Sequence, residues 1–129
     1  MADEIKIKPF VTLTLGGVAI LSYKPSQTKI NQTNGRFYNA VHDIGTSEES
    51  VTSFGDVATP GLVYLLNMDS TNYVEWGFAT TDYGGHLTAN DGSATKGCPF
   101  VQFYGLSGME LFLKANTATC KVQIVVMDR

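Results

Sequence analysis

The clearest pattern in the chain lies near its C-terminal end. Between Ala118 and Asp128, Ala118, Cys120, Val122, Ile124 and Val126 share one phase, while Thr119, Lys121 and Gln123 share the other. A period of two belongs to an extended strand with one face committed to a core. Near the N-terminus, Ile5 and Ile7 alternate with Lys6 and Lys8, and Val11, Leu13 and Leu15 alternate with Thr12 and Thr14. Gly16-Gly17 breaks that run before Val18 to Tyr23, a spacing that suits a hairpin. Lys24-Pro25-Ser26 then ends the segment, and the polar residues from Gln27 to Gly35 predict a loop.

Further along, Arg36 to Ile44 and Val51 to Phe54 read as strands, and Thr59-Pro60-Gly61 as a sharp turn in which Pro60 sets one φ and Gly61 permits the next. Leu62 to Met68 is apolar without interruption apart from Asn67, the pattern of a central strand covered on both faces. The turn formers Asp69 to Asn72 follow, then Tyr73 to Phe78 with Val74, Trp76 and Phe78 in phase, so a second hairpin is expected there. Thr80 to Gly97, rich in Gly, reads as loop with a short strand at His86 and Leu87. Cys98 to Tyr104 and Glu110 to Ala115 complete the set. About eight or nine short strands and no sustained helical period predict an all-β fold, an antiparallel β-sandwich of jelly-roll type. Residues 1–9 are expected to form an N-terminal arm or edge strand, and residues 10–129 a single β-sandwich domain.

Composition narrows the function classes. The chain has 129 residues, of which 43% are hydrophobic and only 16% charged, with a net charge of −3. A core is affordable, disorder is excluded, and bulk attraction to a phosphate backbone is unsupported, so nucleic acid is not an expected partner. The N-terminus lacks an apolar run after a basic start, which predicts synthesis in a cytoplasm, and no apolar stretch is long enough for a membrane span. Cys98 and Cys120 are expected to be free thiols.

Tests for chemistry return no coherent set. Gly105-Leu106-Ser107-Gly108 misses the Gly-x-Ser-x-Gly spacing of a nucleophile elbow, and His42 and His86 form no metal-binding pair. Glu75, Asp82, Asp91 and Glu110 are available as carboxylates on a β scaffold, but nothing pairs them, and turn formation accounts for Asp69, Asp82 and Asp91. No catalytic residue, metal site or cofactor is expected. Among the aromatics, Tyr64, Tyr73, Trp76, Phe103 and Tyr104 are expected mainly as filler in the core and between the sheets. Tyr83, inside Asp82-Tyr83-Gly84-Gly85-His86, is the one expected at a loop tip. Asn31-Gln32-Thr33 fits a glycosylation acceptor by sequence alone.

The segments Ala58-Thr59-Pro60-Gly61, Leu62 to Gly77, Leu111 to Ala115 and Cys120-Lys121-Val122 together resemble a group of small virion proteins of tailed bacteriophages. Those proteins carry a Pro-Gly turn, a strand ending in Asn-x-Asp-x-Thr-Asn-Tyr-Val, and a closing pair of strands. The likeness runs from Val51 onward and departs between Thr80 and Gly108, where a Lys-Leu-x-x-Gly-Glu turn is missing. The resemblance implies a non-enzymatic structural component of a tailed-phage virion, a capsid decoration or cement protein or another head or tail accessory. It would be made in the host cytoplasm and located in the virion. Expected partners are other copies of itself, a trimer being favoured, and other phage structural proteins. Contact residues would include Ile5 and Ile7, whose alternation suits an arm that pairs with a neighbour's sheet edge, together with Tyr83 and His86. Pro60, Gly61, Asn67, Asp69 and Asn72 would be structural turn residues. The rival expectation is a carbohydrate-binding module or adhesin that contacts a surface glycan through Tyr83, Asp82, His86 and Asn90.

Overall fold

The computed structural model describes residues 3–7, 11–23, 28–32, 35–92 and 97–129. Among the described residues twelve strands follow one another: β1 (Asp3–Ile7), β2 (Val11–Leu15), β3 (Val18–Tyr23), β4 (Thr28–Gln32), β5 (Phe37–Ile44) and β6 (Glu49–Val51), then β7 (Pro60–Asn67), β8 (Val74–Gly77), β9 (Gly85–Leu87), β10 (Phe100–Tyr104), β11 (Leu111–Ala115) and β12 (Cys120–Asp128). The last eight form two four-stranded antiparallel sheets, ordered β10-β7-β12-β5 and β6-β11-β8-β9. Taken in chain order, the first of these eight strands pairs with the last, the second with the seventh, the third with the sixth and the fourth with the fifth. That nested pairing is the jelly roll, a double-sheet solution that leaves few sheet edges open.

The inward phases of the two sheets meet in one core. Val63 and Leu65 of β7, Val122, Ile124 and Val126 of β12, Leu111 and Leu113 of β11, Val74 of β8 and Leu87 of β9 are all fully buried. Trp76 of β8 and Phe103 of β10 close one side of the core, with ring centroids 5.5 Å apart and planes 2° from parallel. Phe78 meets both rings edge-on.

The four N-terminal strands stand outside these sheets and are described through their backbone pairing. β2 and β3 form the hairpin predicted from Gly16-Gly17, with Leu15 opposite Val18 and positive φ at both glycines (58° and 80°), as a two-residue primed turn requires. β1 pairs with β4, Ile5 lying opposite Ile30 and Ile7 opposite Thr28. β4 occupies part of the stretch expected to be a loop. Its one strongly apolar residue, Ile30, gives no alternation to read, and its extended form follows from a partner strand more than twenty residues earlier. Lys8 and Pro9, the Lys24-Pro25-Ser26 stop and Thr33 of the glycosylation acceptor lie outside the described residues.

Two further expectations are corrected. Leu62 to Met68 and Tyr73 to Phe78 are not a hairpin: β7 belongs to one sheet and β8 to the other, so residues 68–73 carry the chain across the sandwich. Pro60 and Gly61 are not turn residues either, but the first two residues of β7. Gly61 is absent from the glycines with positive φ, and a Cβ there would stand 3.0 Å from the Arg129 Cβ and 3.0 Å from the Met127 carbonyl oxygen. The glycine therefore serves close approach of the C-terminal strand, and Pro60 takes the first strand position, where a missing N–H is tolerated.

Candidate interaction surface

The crossover from β7 to β8 is built on Asn67, Asp69 and Asn72. Asn67 is fully buried, and its Nδ2 donates to the carbonyls of Asn72 (2.8 Å), Thr88 (3.0 Å) and Leu87 (3.3 Å), while its Oδ1 accepts from Asp69 N (3.0 Å). Asp69 Oδ1 accepts from the backbone N–H groups of Thr71 (2.8 Å) and Asn72 (2.6 Å), and these bonds hold its carboxyl below the usual range. Asn72 Oδ1 in turn accepts from Thr117 Oγ1 (2.6 Å), which ties the crossover to the β11–β12 turn. The three residues expected to fix this connection do so, and they link loops from both sheets.

Tyr83 is not presented at a loop tip. Its hydroxyl donates to Glu48 Oε2 (2.5 Å), and Thr81 N donates to the same oxygen (2.7 Å), while Thr80 Oγ1 donates to Oε1 (2.5 Å). Thr81 has a φ of 57°, a conformation unfavourable for a β-branched residue, inside the tight turn that joins Ala79 to Asp82. Glu48 therefore clamps that turn. The hydrogen bonds from Thr80, Tyr83 and Thr81 lower the Glu48 pKa, and desolvation together with the Glu48 bond pushes the Tyr83 phenol up to about 12.

His86 does lie on a surface. On the outer face of the β6-β11-β8-β9 sheet the register aligns Lys114, Glu75 and His86 side by side, with His86 Nε2 at 3.4 Å from Glu75 Oε1. The His86 ring stacks on Tyr73, centroids 4.8 Å apart, beside a shallow cavity of about 230 Å³ that Thr71 and Thr88 also line. This row is charged and polar.

The opposite face is the most unusual feature of the molecule. On the β10-β7-β12-β5 sheet the outward rows run Phe100, Leu66, Gln123, Val41, and next to it Gln102, Tyr64, Val125, Asn39. A third row holds Tyr104, Leu62 and, across a bulge in β12, Met127 and Phe37. None of these positions is charged, and the polar ones are amides, two of which bond to each other through Gln123 Nε2 and Asn39 Oδ1 (3.0 Å). Phe37 is 68% exposed and Val41 51% on edge strand β5, and Phe100 and Tyr104 47% each on edge strand β10, so large apolar side chains stand open to solvent at both sides of this face. Charge begins at the two ends, with the Lys121–Asp43 ion pair (2.8 Å) at one and Arg129, over the Tyr104 ring at 5.8 Å, at the other. An apolar centre with a polar rim is the anatomy of a protein interface.

Sequence reading assigned Tyr64, Tyr73 and Tyr104 to filler, whereas Tyr64 and Tyr104 face outward here and Tyr73 is exposed beside His86; Trp76 and Phe103 do fill the space between the sheets. The signal for the outer face was nonetheless present. β7 reads as covered on both faces, yet its outward Leu62, Tyr64 and Leu66 have nothing of the sandwich over them and stay half-exposed. Ile5 and Ile7 lie on β1, which pairs with β4 and with no strand of the two four-stranded sheets. Comparison with protein-family models, with curated proteins and with solved structures gives no match.

Proposed function

We propose that this protein is a non-enzymatic structural component of a tailed-phage virion, a decoration, cement or accessory protein of the head or tail, and that it works by association through the outer face of the β10-β7-β12-β5 sheet. The observation that carries this reading is the uncharged apolar centre of that face, bounded at both ends by charge. Burying such a surface strands no ion and demands few new hydrogen bonds, so its desolvation favours binding. The jelly roll agrees with the reading without deciding it, because capsid and lectin domains both use the fold. The likeness of Leu62 to Gly77 to phage virion proteins supplies the particular context. Mass spectrometry of purified virions, with cryo-EM density to locate the copies, tests it: the protein is expected at stoichiometric abundance, and its absence from virions would overturn the assignment.

A second reading keeps glycan recognition, and moves it from Tyr83 to the stacked Tyr73 and His86 with the adjoining cavity. Thr71 and Thr88 line the same cavity beside the two rings. A glycan array that gives no signal, or a signal that survives Tyr73→Ala, removes this reading.

A further inference from the structure

The outer sheet face needs an occupant, and the N-terminal strands have the matching surface. In the β2–β3 hairpin the register sets Val11 opposite Tyr23, Leu13 opposite Leu21 and, past a bulge that leaves Ile20 without a partner, Leu15 opposite Val18, so three of the five facing pairs are apolar, while Thr12 opposite Ser22 and Thr14 opposite Ala19 alternate with them. Val18, in the last of the apolar pairs, is 65% exposed. A two-stranded ribbon is marginally stable alone in water and needs a surface against its apolar side. Among the described residues, no arm strand pairs with a strand of the sandwich. Size also agrees, since strands of five residues span roughly 17 Å, the length of the outward rows on β10 and of the hairpin alike.

Charge selects between the candidate occupants. Residues 1–32 hold four lysines and two acids, a net of +2, whereas residues 33–129 hold five basic and ten acidic side chains, a net of −5. Two sandwiches apposed face to face would bring like charges together, while an arm brought onto a sandwich joins opposite ones.

We infer that the apolar side of the β2–β3 arm of one copy packs on the outer face of the β10-β7-β12-β5 sheet of a second copy, so that the assembly is held by exchanged arms. This rests on the proposal that the face is an association surface. It adds the partner, a second copy of the chain, and the segment that reaches it. Reciprocal exchange between two copies and a closed ring of three both satisfy the geometry, because an arm on a neighbour's face is a heterologous contact that closes by rotation.

The experiment uses the full-length chain in analytical ultracentrifugation, with thermal melts as the check on folding. Wild type is expected to sediment as a dimer or trimer, and Leu21→Asp in the arm and Val125→Asp on the face are each expected to sediment as folded monomers. Mixing the two variants is expected to restore association, since one retains an intact face and the other an intact arm. Leu13→Asp and Val41→Lys provide the same pair of tests should either first choice fail to fold. A strictly monomeric wild type, an oligomer that survives Leu21→Asp, or a mixture that stays monomeric would each overturn arm exchange. Incorporation of Val125→Asp into virions is scored separately. Its loss alongside a monomeric wild type would leave the association face standing and discard only the arm as its occupant.

Discussion

At the scale of single residues, the tightest constraint is Asn67. Its side chain donates to three backbone carbonyls and accepts one N–H at a site with no solvent contact. Asn67→Ala leaves those groups unpartnered, and each buried orphan costs about 1–3 kcal/mol. With partial relaxation the expected loss is roughly 3 kcal/mol, a fall in Tm on the order of 10 °C, measurable by calorimetry. Glu48 and Tyr83 govern the pH response. The Glu48 pKa is lowered on folding, so its contribution is present above the ordinary value of 4.5 and lost as pH falls through the folded one; Glu48→Gln and wild type should converge in stability on acidification. Tyr83 behaves in the opposite sense: raised from 10.0 to about 12, it favours the folded state below the unfolded value and loses that contribution as pH climbs through the folded one. An ultraviolet titration should show a late tyrosinate that disappears in Tyr83→Phe. The local part of this network was legible in the sequence, because the Asn67 and Asp69 side chains bond backbone within a few residues, while the Asn67 bonds to Leu87 and Thr88 and the Asn72 bond to Thr117 were not. Sequence alone misplaced Tyr83 because its partner, Glu48, lies thirty-five residues away.

At the scale of elements, alternation located most strands and failed where pairing is non-local. β12 was legible because its inner phase is apolar from Cys120 to Val126, and the β2–β3 hairpin because Gly16-Gly17 is itself a turn signal. The β7–β8 link was misread as a hairpin since the turn chemistry of Asp69 to Asn72 suits a hairpin and a crossover equally. Which one forms is set by β10, β11 and β12, which claim the pairing edges of β7 and β8 from a distance. The same dependence marks Gly77, the last residue of β8, whose missing side chain no local pattern explains. A Cβ there would lie 2.1 Å from the Asp82 carbonyl oxygen, so an alanine must push back the turn that Glu48 clamps. Gly77→Ala is expected to cost about 2–3 kcal/mol, in the range of overpacked sites, and to loosen the turn as well. Amide exchange at Thr81 and Asp82 should accelerate relative to β12, while exchange in β12 itself falls only with global stability.

At the scale of the whole molecule, the two sheets differ in what they show to solvent, and that difference makes the proposed association testable. The β6-β11-β8-β9 sheet carries Lys114, Glu75 and His86 in one row, whereas the opposite sheet carries no charge until its rims. If association uses the uncharged face, a new charge should matter on one side only. Phe112 and Val125 make the comparison fair: both are half-buried, outward-facing and on inner strands of their sheets. Phe112→Asp and Val125→Asp should each lower monomer stability modestly, by roughly 1 kcal/mol, since neither side chain lies in the core. Their effects on assembly should diverge, because a carboxylate at Val125 would be buried unpaired in the contact and one at Phe112 would stay in water among existing charges. Competition between tagged variant and wild type during particle assembly reads the difference directly. Val125→Asp should be depleted from the particles at least tenfold, equivalent to about 1.4 kcal/mol, while Phe112→Asp enters in proportion to its concentration. Equal incorporation of both would mean that the uncharged face is not the one buried in the assembly.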